Sequence, residues 1–374
     1  MNLRSENEFS DTQPMNAVAP TPSHSNVEAT LNARVRHIDL FRFIAAFMVM
    51  LFHYTFRGYA ADGYSPMPYP WLAPVTQYGY LGVEFFFLIS GFVILMTASS
   101  GSLRRFMVSR VTRLYPAFWF CCTLTFIAIL VFGTHRFVVT PVQYLVNLTM
   151  LNEFVGVEPI DGVYWSLAVE IRFYLLIGVL LLIGRIHRAD IFLTAWLILT
   201  VALDLFPVEK LKTLFITFYA PYFIAGAASY LIYAKGKSPK RLALFAACWV
   251  LALAHSTQST ADLIRHYHAN YNVYVPFAII SVFFVAFLVV AIVKPEGKMN
   301  WVTVGNLTYP LYLIHQVIGY LVFSHGYPGL NPHLLLWGTV FAMLLIAYFI
   351  NQQVEKPLAR RLRRLLAGSG PELA

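Results

Sequence analysis

Ten apolar runs separated by short polar stretches set the pattern of this chain, near residues 37–57, 78–98, 113–133, 163–184, 190–206, 212–233, 240–256, 272–293, 301–323 and 334–353. Most approach the roughly 20 residues that a helix needs to cross a bilayer. The pattern therefore predicts an all-α polytopic membrane protein with about ten transmembrane helices. The fifth and seventh runs are the shortest. The first 33 residues break the pattern: they are polar, contain proline and have no period, so a disordered tail is expected there. The first apolar run is expected to act as its own insertion signal. The domain organisation then reads as a cytoplasmic tail at 1–33, a transmembrane domain at 34–357 and a basic cytoplasmic tail at 358–374.

Charge fixes the expected orientation. The chain has 27 Lys and Arg against 18 Asp and Glu, a net charge of +9. With the N-terminus inside, 20 of the basic residues fall on inner segments and 5 on outer ones, and Arg42 and Arg172 lie within spans. Such a bias is the positive-inside signal, and it places both termini in the cytoplasm. It also accounts for the basic excess without a nucleic-acid partner. Only 12% of residues are charged and 58% are hydrophobic, far from the quarter or so charged in soluble domains. The three cysteines, Cys121, Cys122 and Cys248, sit inside apolar runs without ligand spacing, so no metal is expected.

Ionisable residues inside spans are costly and therefore carry most of the functional information. Six stand out: Arg42, His53, Glu84, Glu170, Arg172 and His315. Arg42 and His53 are eleven residues apart, nearly three full turns, so they share a helix face about 16 Å apart along the axis. The expected depths bring His53, Glu84, Glu170 and His315 from four helices to a similar level in the outer half of the membrane. Ser166, Glu170 and Tyr174 form an i, i+4, i+8 stripe. Arg110 and Arg113 share a face at the cytoplasmic entrance of the third run, and guanidinium groups suit phosphate. Arg172 points away from the Glu170 stripe and is expected to pair with another span. The plain structural alternative is a buried ion-pair cluster that only fixes helix packing.

In order along the chain, the Arg42–His53 pair, GVEFFFLISGF (82–92), RFMVSRVTRLYPAFW (105–119), YWSLAVEIRFY (164–174), YPLYLIHQ (309–316) and VEKP (354–357) resemble acyltransferase family three, membrane enzymes that decorate bacterial glycans. The resemblance spans nearly all of the membrane region. It implies transfer of an acyl group, commonly acetyl, from cytoplasmic acyl-CoA to a glycan hydroxyl, with the family's essential Arg and His at Arg42 and His53. It also implies a multi-pass protein of the bacterial inner membrane; some members carry a fused esterase-like domain, and with the last apolar run near 334–353 in a chain of 374 residues the stand-alone type is expected.

Together the two lines give a concrete expectation. Arg42, Arg110 and Arg113 bind the phosphates of acyl-CoA. His53 is the general base, oriented by Glu84 or Glu170, with Tyr174, Tyr312 or His315 donating to the oxyanion. Direct transfer is the simpler expectation, with an acyl-histidine, or an acyl-serine through Ser90 or Ser166, as the alternative; Tyr174, Tyr312, Ser90 and Trp165 are candidate substrate-binding residues. The acceptor is expected to be an exopolysaccharide or O-antigen unit, or a lipid-linked sugar. A dianionic succinyl donor would call on Arg172 as an extra cation. The rival reading is a proton-coupled transporter or exporter, which uses the same residue types. No internal repeat supports it, since the Arg42–His53 pair has no counterpart in the sixth run.

Overall fold

A computed structural model describes residues 36–267, 271–294 and 300–367. The tail expected at 1–33 and the last residues of the expected basic tail lie outside the described residues. Helix α1 (Arg36–Phe52) continues as a π-helix over His53–Ala61. There follow α2 (Leu81–Ala98), α3 (Leu103–Phe132), α4 (Trp165–Leu182), α5 (Ala189–Leu205), α6 (Ala220–Lys235), α7 (Pro239–Tyr267), α8 (Tyr274–Val293), α9 (Val302–Gly326) and α10 (Pro332–Phe349). The chain ends its described part with a second π-helix, Ile350–Glu355, and α11 (Lys356–Ala367).

Each apolar run forms one of the helices α1–α10, and the described residues contain no strand. Among them eight helical segments are long and apolar enough to cross a membrane, which makes the chain an all-α polytopic membrane protein. The other two helices differ for physical reasons. Helix α6 has only 16 residues, and every one from Ala220 to Ile232 is buried. Helix α9 has 25 residues but carries Asn306, Thr308, His315 and Gln316, and Pro310–Val317 are all buried. Enclosed by other helices, these two need not match the length or apolarity of a lipid-facing span. Helix α3 starts ten residues before its apolar run because the Ser102 side chain accepts from the Arg105 N–H and caps a basic first turn.

The core is built around α1, which packs against α9 on one side and α2 on the other, while α2 lies along α6. Lipid tails give helices no hydrophobic drive to associate, so close backbone approach through small residues takes its place. A Cβ added at Gly226 would lie 1.9 Å from the Leu88 carbonyl oxygen, and one at Gly91 would lie 2.1 Å from that of Phe223. The α2–α6 contact is therefore backbone against backbone. Gly226→Ala should cost about 1–3 kcal/mol through overpacking, read as a lower thermal midpoint in detergent. An unchanged midpoint would contradict this packing.

Candidate active site

Two histidines meet at the centre of the bundle. His53 and His315 are both buried, with ring centroids 5.0 Å apart. His53 Nδ1 lies 2.8 Å from the Val49 carbonyl oxygen and 3.2 Å from His315 Nε2. His315 Nδ1 lies 2.8 Å from the Tyr312 carbonyl oxygen. A carbonyl oxygen has no proton to give, so each Nδ1 carries the hydrogen. His315 Nε2 is then a lone-pair acceptor, and His53 Nδ1–H is shared between it and Val49. This leaves His53 Nε2 as a bare lone pair, buried and without a partner among the described residues.

The local backbone positions this pair. At His53 the α-helix widens into the π-helix, a feature concentrated at functional sites. Tyr54, the next residue, donates its hydroxyl to the His315 carbonyl oxygen at 2.8 Å and ties α1 to α9 beside the rings. From the other side, the fully buried Asp161 accepts from the backbone N–H groups of Val163 (3.2 Å) and Val317 (3.1 Å). It thereby joins the entry of α4 to α9 next to His315, and burial pushes its carboxyl up to about 7.

His53 lines a cavity of about 700 Å³, within the size range of small-molecule sites. Its walls include Arg57, Tyr80, Glu84, Trp165 and Tyr219. Glu84 Oε2 and the Tyr80 hydroxyl are buried in it without hydrogen-bond partners among the described residues. Asp262 and Arg265, which pair with each other, and the Arg57–Asp62 pair (2.6 Å) add charge to this cavity and its surroundings.

A second, narrower cavity of about 100 Å³ carries the three arginines. Arg42 pairs with Asp39 at 3.5 Å. Arg110 donates to the hydroxyls of Thr97 and Ser109, and its buried Nε has no partner among the described residues. Arg113 pairs with Glu355. The Ser166, Glu170 and Tyr174 stripe lines the same cavity, and Ser90 donates to Glu170 Oε1 at 2.7 Å. Val83 and Tyr312 line both cavities and form the partition between them. Arg42 and His53 thus stand in consecutive chambers along one helix.

Several expected pairings are replaced by others. Neither Glu84 nor Glu170 hydrogen-bonds His53: its ring contacts are Val49 and His315, and Glu170 belongs to the arginine chamber. His315 cannot donate to an oxyanion, because its only N–H goes to the Tyr312 carbonyl. The Tyr312 hydroxyl is committed to the Ser166 hydroxyl (2.7 Å) and the Val163 carbonyl oxygen (3.2 Å). Tyr174 and Ser90 lie in the arginine chamber, and Trp165 lies in the histidine chamber. Arg172 pairs not with a span but with Glu153 of the segment between α3 and α4, at 2.8 Å, and its guanidinium lies over the Phe154 ring. Asp161 and Tyr80 have no place in the sequence reading, and Glu355 enters it only as part of VEKP, without a role of its own. Asp161 and Glu355 lie between or beyond the apolar runs, where a charge draws no notice.

The family profile described as "Acyltransferase domain" matches residues 35–352, and the chain belongs to that family. It is similar to "Nodulation protein 10" of Rhizobium leguminosarum bv. viciae, 31% identical over 40% of this chain and 45% of that protein. It is 32% identical to "O-acetyltransferase OatA" of Staphylococcus aureus (strain NCTC 8325 / PS 47) over 34% of this chain and 24% of that one. The chain thus spans less than half the length of either relative. With the "O-acetyl transferase" of Shigella phage Sf6 it shares 24% identity over 90% of this chain and 97% of that one. No solved structure matches the chain.

Proposed function

We propose that this protein is a membrane O-acetyltransferase that moves acetyl from cytoplasmic acetyl-CoA to a hydroxyl of a glycan or lipid-linked sugar outside the bilayer of the bacterial inner membrane. The observation that carries this reading is the bare Nε2 of His53, buried in a large cavity that shares a partition with a chamber of three arginines. The family and the names of two relatives support acetyl transfer. Engagement of Arg172 by Glu153 removes the cation that a succinyl donor would call on.

In this reading both termini face the cytoplasm. Arg42, Arg110 and Arg113 hold the phosphates of the donor through charge-assisted hydrogen bonds. Its pantetheine arm passes Tyr312 and Val83 and brings the thioester to His53. His53 Nε2 takes the proton of the acceptor hydroxyl as the new C–O bond forms. The imidazolium is stabilised by the two acceptors already on Nδ1–H, Val49 O and His315 Nε2, a role played by a carboxylate in triads. The C–S bond then breaks, and the imidazolium returns its proton to the departing thiolate. The Tyr80 hydroxyl is the neutral donor in the same chamber for the oxyanion, and Glu84 accepts from an acceptor hydroxyl. Transfer is direct: Ser90 and Ser166 make their hydrogen bonds to Glu170 and Tyr312, away from His53.

The test is release of free CoA by the purified protein. Acetyl-CoA with a surface-glycan extract should give CoA in proportion to acetylated glycan. A transporter of the same residues would give none, and that result would overturn the reading.

A further inference from the structure

The end of α10 contains a device that none of these roles uses. The six residues that follow it wind as a π-helix, Ile350–Glu355. A π-turn holds more residues than an α-turn, so it re-aims the side chains that follow. The residue turned inward is Glu355, whose side chain is 6% exposed, although Gln353 and Lys356 beside it are exposed. Both of its oxygens are used. Oε1 accepts from Arg113 Nη1, and Oε2 accepts from Asn351 Nδ2 at 2.9 Å. Asn351 is itself buried on the same π-turn. On its other side the Arg113 guanidinium lies 5.7 Å from the centroid of the Tyr309 ring.

We propose that Glu355 is a positioning residue for the donor chamber: it fixes the direction in which Arg113 presents its remaining N–H groups. This rests on the reading of that chamber as the donor-phosphate site. The guanidinium is a rigid planar fork with five N–H donors. A carboxylate on one N–H, with an aromatic ring against the plane, determines where the others point. Without Glu355 the Arg113 guanidinium loses its paired carboxylate against repulsion from Arg42 and Arg110, which line the same cavity. Arg113 is already 32% exposed along its side chain, so it has a way out. Glu355 touches Arg113 and Asn351 and acts on the donor only through Arg113. A different role for the same carboxylate would be simple neutralisation, and the two have opposite signs. Loss of a neutralising charge strengthens binding of an anion, whereas loss of a positioning contact weakens it.

The experiment measures CoA binding to the purified full-length chain in detergent micelles, reading both the dissociation constant and the fraction of protein that binds. Arg113→Ala should raise the dissociation constant for CoA about tenfold. Glu355→Ala should raise it by a similar factor, and Glu355→Gln, which keeps an oxygen for Arg113, by less. The double variant Arg113→Ala/Glu355→Ala should bind no more weakly than Arg113→Ala alone. A merely structural role would lower the binding-competent fraction and leave the dissociation constant of the remainder unchanged, which would overturn the proposal. Tighter CoA binding by Glu355→Gln, or additive losses in the double variant, would also overturn it. If Glu355→Ala does not fold, the Gln variant alone decides between weaker and tighter binding. Should Arg113→Ala bind CoA normally, the donor-chamber reading fails instead, whatever the Glu355 variants do.

Discussion

His53→Ala is expected to abolish acetyl transfer in membranes supplied with labelled acetyl-CoA, a loss of about 10²–10⁴-fold, the usual contribution of a positioned general base. CoA binding should be retained, because the arginine chamber is separate from His53. The paired readout separates chemistry from folding: a misfolded variant loses both. His53→Gln should be no better, since an amide nitrogen has no lone pair to take the proton. Full transfer by either variant would remove His53 from the reaction.

His315→Ala should cost on the order of 10-fold to 100-fold in rate, less than loss of His53. Its Nε2 accepts from His53 Nδ1–H, so its removal withdraws one of two acceptors that stabilise the imidazolium. The Val49 carbonyl oxygen remains, at 2.8 Å. His315→Gln should recover part of the rate by offering a side-chain oxygen near the same place. The affinity for CoA should not change. If His315→Ala and His315→Gln are equally impaired, His315 contributes something other than a hydrogen-bond acceptor to His53.

The sequence reading and the structure agree most where a single costly residue sits in an apolar run. Arg42 and His53 are legible for that reason, and the π-helix begins only at His53, so the α-helical spacing between them survives. The Ser166, Glu170 and Tyr174 stripe is legible because helical periodicity alone puts it on one face, and all three line one chamber. Pairing between helices is another matter. Depth along the membrane is a one-dimensional estimate and says nothing about how each helix is rotated. Depth alone thus offers Glu84 and Glu170 as partners of His53 and His315 as an oxyanion donor, yet of the three it is His315 that reaches His53. Asp161 draws no notice because it lies between apolar runs, and its burial with the bond from the Val317 N–H shows that it braces α9. The inward turn of Glu355 is not legible because the π-turn that follows α10 re-aims it, and no periodicity in VEKP announces that. The Glu153 partner of Arg172 lies on a 3-10 turn, Asn152–Val155, between α3 and α4, beyond the reach of a span-by-span reading.

The central claim is that one path runs along α1 from the arginine chamber to His53, with the donor on the cytoplasmic face and the hydroxyl on the other. Sidedness in sealed vesicles tests it most directly. In inverted membrane vesicles, labelled acetyl-CoA added outside faces the cytoplasmic surface. The account predicts labelled acetyl esters on glycan inside the vesicles and free CoA outside, both abolished by His53→Ala. In right-side-out vesicles the same addition should give no label until the membrane is made permeable. Equal labelling from both faces, or label trapped inside together with CoA, would contradict the path.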